Sequence, residues 1–169
     1  VCQSRPFYTR FADVYDLLVD DPVEPWVEAV IKGTGPAPCS LALLDAGCGT
    51  GRHAAAFTSR GFAVTLADAS PELLALAQRR CPRSPALLVD LCTMSESSRF
   101  DVIVCRGVLN DLLTDGERDA ALASMARALR PGGVLFCDVR EASASRVRAD
   151  EAPTITKTVS LPTGELSFS

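Results

Sequence analysis

The feature that most constrains the fold is a regular alternation of short apolar segments with longer amphipathic segments, separated by Gly and Pro. Short apolar segments are typical of strands buried on both faces of a parallel sheet, and the amphipathic segments are typical of crossover helices. Because such crossovers are right-handed, the pattern predicts one α/β domain with a doubly wound, mostly parallel sheet. A ligand site is then expected outside the carboxyl ends of the strands.

Local signals place the individual elements of this sheet. Strands are predicted over residues 41–44, 62–67, 86–89, 100–105 and 134–139. A helix over 52–60 follows the first strand, and a second begins at the N-cap Ser70 and ends near Cys81. A third helix opens with the capping box of Thr114 and Glu117. The expected buried side chains of the second and third helices are Leu73, Leu76 and Ala77, and Leu122, Met125, Ala126 and Leu129.

Both ends of the chain carry further elements. Residues 1–32 are expected to supply helices over 8–19 and 26–31, and residues 141–149 one more helix. Alternating residues over 154–160 and 165–168 predict an antiparallel hairpin within 150–169, at a C-terminus that we expect to be incomplete.

The composition of the chain limits the kinds of molecule that the protein is expected to bind. The 169 residues include 17 Lys and Arg against 21 Asp and Glu, and the basic residues are scattered, so no nucleic-acid partner is expected. The apolar runs are far shorter than the ~20 residues that span a bilayer, so we expect no membrane partner.

The 7 cysteines include no C-x-x-C pair. We therefore predict free thiols in a reducing cytoplasm and no metal site. We also expect small-molecule partners and a monomer or homodimer. No targeting signal is visible, and the start at Val1 suggests a fragment.

A glycine-rich turn follows the first predicted strand and precedes a helix, where backbone amides can meet a polar ligand. Its spacing is G-x-G-x-G, with Asp45 two residues before Gly47 and with Arg52 at the sixth position. A dinucleotide site requires G-x-G-x-x-G so that pyrophosphate reaches the helix. An acid beside this turn repels pyrophosphate but suits an ammonium group.

The run Leu43-Leu44-Asp45-Ala46-Gly47-Cys48-Gly49-Thr50-Gly51 resembles the first motif of the class I S-adenosylmethionine-dependent methyltransferases. Four further positions are similar to this family: Asp68 and Asp90 at the ends of the second and third strands, and the segments 100–104 and 129–135. The resemblance covers residues 41–140, the expected cofactor-binding core. It implies a Rossmann-like methyltransferase fold, with S-adenosyl-L-methionine as cofactor and S-adenosyl-L-homocysteine as product.

The resemblance also implies residue roles. Gly47 and Gly49 approach the methionine part of the cofactor, Asp68 binds both ribose hydroxyls, and Asp90 binds the adenine amino group. The backbone at 105–106 accepts from the cofactor's amino group. From the residues alone, Asp68 and Asp90 could instead only cap turns. The complete expected cofactor-binding set is Tyr8, Tyr15, Asp45, Gly47, Cys48, Gly49, Thr50, Gly51, Arg52, Asp68, Ala69, Asp90, Leu91, Cys105, Arg106 and Gly107.

The acceptor side is less defined. Many small-molecule methyltransferases carry a His after the fourth strand, and this chain has Asn110. Asp138, Arg140 and Glu141 crowd the end of the fifth strand and are the expected catalytic residues with Asn110, unless they form a solvated ion-pair cluster. We expect His53, the only histidine, to be structural or to pack against the cofactor.

The predicted N-terminal helix carries the aromatic residues Tyr8, Phe11 and Tyr15. These residues resemble the lid of amino-sugar N-methyltransferases. The alternative is that they only pack in the core. The resemblance implies in-line transfer of a methyl group to N or O of a small metabolite. Two alternatives stay open: a nicotinamide-dependent oxidoreductase, which the acid beside the turn disfavours, and an inactive S-adenosylmethionine-binding protein.

Overall fold

The structure is a computed structural model that describes residues 6–18, 21–35, 40–141, 157–161 and 164–168. The N-terminal part holds α1 (Pro6–Arg10), a short 3-10 helix (Ala12–Val14), α2 (Tyr15–Leu18) and α3 (Glu24–Thr34). The elements that follow are β1 (Ala42–Ala46), α4 (Arg52–Ser59), β2 (Ala63–Asp68), α5 (Pro71–Arg80), β3 (Ala86–Leu88), β4 (Phe100–Cys105), α6 (Val108–Asp111), α7 (Asp115–Ala128), β5 (Leu129–Cys137), β6 (Lys157–Leu161) and β7 (Gly164–Phe168).

The first five strands form one sheet in the order β3-β2-β1-β4-β5, and every pairing in it is parallel. The predicted doubly wound parallel sheet is therefore confirmed. The chain moves outward from β1 to β3 and then returns to the other side of β1 with β4. The carboxyl ends of β1 and β4 flank this reversal, which is where open α/β sheets bind ligands.

Helices cover both faces of the sheet, and the sheet divides the core into two clusters. Along β4, Val102 and Val104 face one cluster, whereas Ile103 and Cys105 face the other. The first cluster includes Val27 and Phe57 from the helices on its side. Burial on both faces explains why the strand segments of the sequence are continuously apolar.

The predicted helix caps are confirmed, whereas two of the predicted buried faces are wrong in part. The Ser70 hydroxyl accepts from the amide of Leu73 at 3.2 Å, and Thr114 and Glu117 form the reciprocal capping box. In α5, the buried side chains are Leu73, Leu74 and Ala77, with Leu76 only half-buried. In α7 the buried side chains are Ala121, Ser124, Met125 and Ala128. Of the other side chains predicted to be buried, Ala126 is exposed, and Leu122 and Leu129 are half-buried.

The fifth strand begins earlier than predicted. It runs over Leu129–Cys137 instead of 134–139, because Leu129 already pairs with Phe100. The register then shifts between Phe100 and Val102, which accommodates the Pro-Gly-Gly segment inside the strand. The predicted bounds of the other four strands of this sheet differ from the structure by no more than two residues.

The predicted N-terminal helix over 8–19 is broken into three short pieces in the structure. Phe11 interrupts it, because its backbone takes the non-helical angles φ −119° and ψ 19°. The second predicted helix is longer than expected and spans Glu24–Thr34.

The C-terminal hairpin pairs antiparallel, as predicted, with Val159 opposite Leu166. It forms a separate two-stranded sheet and does not extend β5 within the described residues. The predicted helix over 141–149 lies outside the described residues, except for Glu141.

Candidate functional site

A cavity of about 370 Å³ lies where the central strands end. Such a volume is within the usual range of small-molecule sites. Sixteen of the predicted site residues line it: Tyr8, Tyr15, Asp45, Gly47, Cys48, Gly49, Thr50, Arg52, Asp68, Ala69, Asp90, Leu91, Arg106, Gly107, Asp138 and Arg140. The other four, Gly51, Cys105, Asn110 and Glu141, are not among its lining residues.

The glycine-rich turn forms one wall of the cavity with its backbone. The amides of Gly47 and Cys48 both donate to the carbonyl of Ala67, at 2.8 and 2.9 Å. Gly47 has φ +79°, and a Cβ there would lie 2.1 Å from Cγ2 of Val108. Only glycine fits this position, so the main chain itself meets whatever enters the cavity.

Two of the residues that do not line the cavity make contacts within the protein. Gly51 has φ +80°, and a Cβ there would lie 2.9 Å from the Cα of Ala77, so this glycine allows α4 and α5 to pack closely. Cys105 is fully buried, and its carbonyl faces the amide of Asp138 at 3.4 Å.

Asp45 is a buried carboxylate that lines the cavity, with only 5% of its surface exposed. Its Oδ2 has no hydrogen-bond partner among the described residues. Burial and, to a smaller extent, the charge of Asp68 raise the pKa of Asp45 to about 7, against a backbone hydrogen bond from Ala54. A buried acceptor without a protein donor fits the ammonium group of an amino-acid ligand.

Asp68 and Asp90 accept hydrogen bonds within turns, and both also line the cavity. The Asp68 carboxylate accepts from the amides of Gly49 and Ser70, each at 2.8 Å. Burial raises the pKa of Asp68, and these amides oppose the rise. Asp90 accepts from the amide of Cys92 at 2.9 Å. Each carboxylate oxygen has two lone pairs, so both acids retain the capacity to accept from ligand hydroxyl or amino groups.

The N-terminal segment contributes an aromatic part of the lining. The Tyr8 hydroxyl donates to the carboxylate of Asp111, and the Tyr8 and Tyr15 rings meet edge to face at 5.7 Å. Burial and the charge of Asp111 raise the pKa of Tyr15, so its hydroxyl remains protonated at neutral pH. Asp16 fastens the same segment to the turn through a hydrogen bond from Thr50.

Eight lining residues are not in the predicted site: Asp21, His53, Ser70, Leu73, Val89, Val108, Asp111 and Leu112. Of these, only His53 has an expected role at the site, either structural or in packing against the cofactor. Nε2 of His53 lies 2.7 Å from Nη1 of Arg106, and burial together with the charge of Arg106 lowers the pKa of His53 to about 4. Oδ2 of Asp21 lies 3.4 Å from Nη2 of Arg106. Asp111 could have been suspected, because it follows Asn110 in the segment after β4. Nothing in the sequence signals Asp21.

On the acceptor side, only part of the predicted cluster comes together. Asp138 accepts from the Gly107 amide at 2.5 Å and lines the cavity with Arg140. Oδ1 of Asn110 accepts from the Arg140 amide at 2.8 Å, and its Nδ2 is buried without a partner in the described chain. Glu141 is exposed.

The residues that the structure describes also limit the metal and membrane chemistry of the protein. They contain no group of three His, Cys, Asp or Glu side chains able to hold a metal ion. None of the helices placed by the structure is long and apolar enough to cross a bilayer. Cys48, Cys81, Cys105 and Cys137 are free thiols.

The parallel sheet with a glycine turn and strand-end acids around one cavity defines a Rossmann-like domain of the type that binds a nucleoside cofactor. Residues 43–133 match the family model described as "Methyltransferase domain". The chain belongs to this family, within the S-adenosylmethionine-dependent methyltransferases, so the resemblance seen in the sequence is confirmed.

Several relatives are similar over most of this chain. The "Putative methyltransferase YqeM" of Bacillus subtilis (strain 168) is 34% identical over 141 residues, covering 78% of this chain and 55% of the relative. The dTDP-4-amino-2,3,4,6-tetradeoxy-D-glucose N,N-dimethyltransferase of Saccharopolyspora spinosa is 30% identical over 136 residues, with the same two coverages, 78% and 55%.

A solved structure gives the same result. S-adenosylmethionine-bound CalS10, an amino pentose methyltransferase from Micromonospora echinaspora, matches with a TM-score of 0.66 and 31% identity, covering 78% of this chain and 56% of that one. The chain thus spans little more than half the length of these proteins. Neither the family nor these relatives support the oxidoreductase alternative.

Proposed function

We propose that the protein transfers a methyl group from S-adenosyl-L-methionine to N or O of a small metabolite by in-line displacement. The observation that carries this proposal is the single cavity that collects the glycine turn and the acids Asp45, Asp68 and Asp90. The cofactor would supply an electrophilic methyl group on a sulfonium. The residues of the chain bind and orient the reactants and exclude water.

The cofactor end of the cavity offers groups that match several polar parts of the ligand. Asp68 and Asp90 would take the ribose hydroxyls and the adenine amino group, with Leu91 beside the ring. The unpartnered oxygen of Asp45 would accept from the ammonium group. The Tyr8 and Tyr15 rings would attract the sulfonium, as aromatic faces attract other cations.

The acceptor end favours positioning over strong base catalysis. An amine that arrives neutral needs no strong base, whereas a hydroxyl acceptor would use Asp138, the predicted carboxylate that lines the cavity. Two of the relatives named above act on amino sugars, which favours an amine acceptor. Asn110 would act through the backbone of Arg140, and Glu141 would contribute only at the outer edge.

The setting proposed for this activity is the cytoplasm, with a small-molecule acceptor and a monomer or homodimer. The free thiols of Cys48, Cys81, Cys105 and Cys137 support a reducing compartment. The formal charge of −4 supports an acceptor other than nucleic acid.

Calorimetric titration with S-adenosylmethionine, S-adenosylhomocysteine and NADH tests the proposal without knowledge of the acceptor. We expect both sulfur nucleosides to bind, NADH not to bind, and Asp68→Asn to weaken binding at least tenfold. Because Asp68 also holds the Gly49 and Ser70 amides, thermal unfolding of the variant must accompany the titration. Binding of NADH alone would refute the proposal.

A second measurement separates an enzyme from an inactive binding protein. Wild-type protein with S-adenosylmethionine is incubated with a panel of primary amines and alcohols, and S-adenosylhomocysteine is quantified. Tight cofactor binding with no product from any acceptor would favour the inactive alternative.

A further inference from the structure

Arg106 directly follows β4, and its side chain lines the same cavity as Asp45 and the glycine turn. Asp45 pairs with Val104 in the sheet, so Arg106 lies two residues further toward the cavity on the neighbouring strand. At about 3.3 Å per residue, this places it about 7 Å beyond Asp45 along the strand direction. The carboxyl group of Asp45 and the guanidinium of Arg106 thus lie at two neighbouring strand ends.

His53, near the start of α4, fixes one side of the Arg106 guanidinium. Nη1 of Arg106 lies 2.7 Å from Nε2 of His53. A guanidinium has only donors, so Nε2 must accept and the imidazole proton must lie on Nδ1. The lowered pKa of His53, about 4, keeps the ring neutral at physiological pH. His53 therefore orients the guanidinium without neutralising its charge.

The other neighbours of Arg106 also leave its charge available. Nη2 lies 3.4 Å from Oδ2 of Asp21, whose side chain is 66% exposed. An ion pair at this distance and with this exposure to solvent is weak. The Trp26 ring lies 5.8 Å from the guanidinium carbon and is neutral. Asp138, another carboxylate that lines the cavity, accepts from the Gly107 amide.

Resting on the proposed function, we propose that the Arg106 side chain binds the carboxylate of the cofactor's methionine moiety, and that His53 is the positioning residue that holds it there. The α-amino acid end of the ligand carries one ammonium and one carboxylate. Asp45 presents a buried oxygen without a partner to the first, and Arg106 presents N–H groups in a fork to the second. The resemblance implied only a backbone role for Arg106.

The test compares three nucleosides by calorimetry at pH 7.5. S-adenosylhomocysteine has both charged groups, 5′-(3-aminopropylthio)-5′-deoxyadenosine keeps the amine and lacks the carboxylate, and 5′-methylthioadenosine lacks both. Arg106→Gln is the main variant. Arg130→Gln, which removes a surface ion pair with Asp101, is the matched control.

We expect Arg106→Gln to weaken S-adenosylhomocysteine about 10- to 100-fold, the range of a charge-assisted hydrogen-bonded pair. Its effect on the two probes without a carboxylate should stay below threefold, and Arg130→Gln should change none of the three. His53→Leu should weaken only S-adenosylhomocysteine, by about 3- to 10-fold. His53→Gln, which keeps an acceptor, should recover part of that loss.

Three results would overturn the inference. Equal weakening of all three nucleosides would mean that Arg106 acts by anchoring the N-terminal segment through Asp21 and Trp26. Unchanged binding of S-adenosylhomocysteine would exclude a contact with the carboxylate. If no nucleoside binds the wild-type protein, the proposed function fails and this inference fails with it, whereas failure of the inference alone leaves the wild-type affinities intact.

Discussion

Gly47→Ala should lower the free energy of unfolding, because the added methyl group would overlap with the movable side chain of Val108. Two terms contribute. The residue has φ +79°, a left-handed conformation that costs a side chain about 1–2 kcal/mol. The new Cβ would also lie 2.1 Å from Cγ2 of Val108, and relieving such an overlap costs about 1–3 kcal/mol. The expected loss in free energy of unfolding is therefore about 2–5 kcal/mol.

Gly49→Ala and Val108→Ala separate these two terms. Gly49 has φ +54° but nothing within 4 Å of an added Cβ, so its substitution should cost only the backbone part. Adding Val108→Ala to Gly47→Ala removes the overlap but not the strain. The double-mutant cycle should give a coupling of about 1–3 kcal/mol in favour of the pair.

Urea unfolding followed by circular dichroism measures all four variants. Equal stability of Gly47→Ala and Gly49→Ala would refute the steric argument, as would a double variant no more stable than the sum of the single changes predicts. Titration of the same proteins with S-adenosylhomocysteine then shows whether the wall of the cavity has moved.

Three shorter predictions concern charge and capping. Because the pKa of Asp45 is raised in the folded state, its contribution to stability should fall as pH rises from about 5 through 7, by about 2–3 kcal/mol; Asp45→Asn should remove this slope in urea unfolding, and an unchanged slope would contradict the assignment. The C2 proton of His53, the only histidine, should titrate in NMR spectra with a midpoint near pH 4, and Arg106→Gln should move it upward; since the folded pKa is depressed, this group's contribution to stability is lost as pH falls below about 6.5. Thr114→Ala should destabilise the protein by about 0.5–2 kcal/mol in urea unfolding, and Thr114→Ser, which keeps the cap oxygen, should not.

Local signals predicted those parts of the fold that depend on local physics. The caps at Ser70 and Thr114 satisfy amides only three residues away, so the sequence contains both partners. The acids at strand ends could be placed for a related reason, since the parallel topology brings the carboxyl ends of the strands to one edge.

The predictions of the buried face of α7 and of the start of β5 were wrong because tertiary contacts determine both. The sheet-facing side of α7 carries Ala121, Ser124 and Ala128, small residues that let the helix approach, and the Ser124 hydroxyl donates to the carbonyl of Leu91. A search for large apolar residues selects the adjacent stripe instead. Likewise, pairing with β4 extends β5 through a Pro-Gly-Gly segment that would locally end a strand.

The cluster around Arg106 could not be predicted from local patterns. His53 lies 53 positions away in the chain and Asp21 lies 85 away, and neither carries a motif that points to the other. Only the folded arrangement shows that the histidine accepts from the arginine.

The placement of Trp26 gives the protein a built-in optical reporter. It is the only tryptophan in the chain, its ring packs against Arg106 at 5.8 Å, and its indole nitrogen is buried. Indole emission shifts with the polarity and charge around the ring, so movement of the guanidinium or of the segment before α3 should change the fluorescence without any added dye. Ligand entry and the docking of the N-terminal residues can thus be followed in real time by stopped flow on the unlabelled protein.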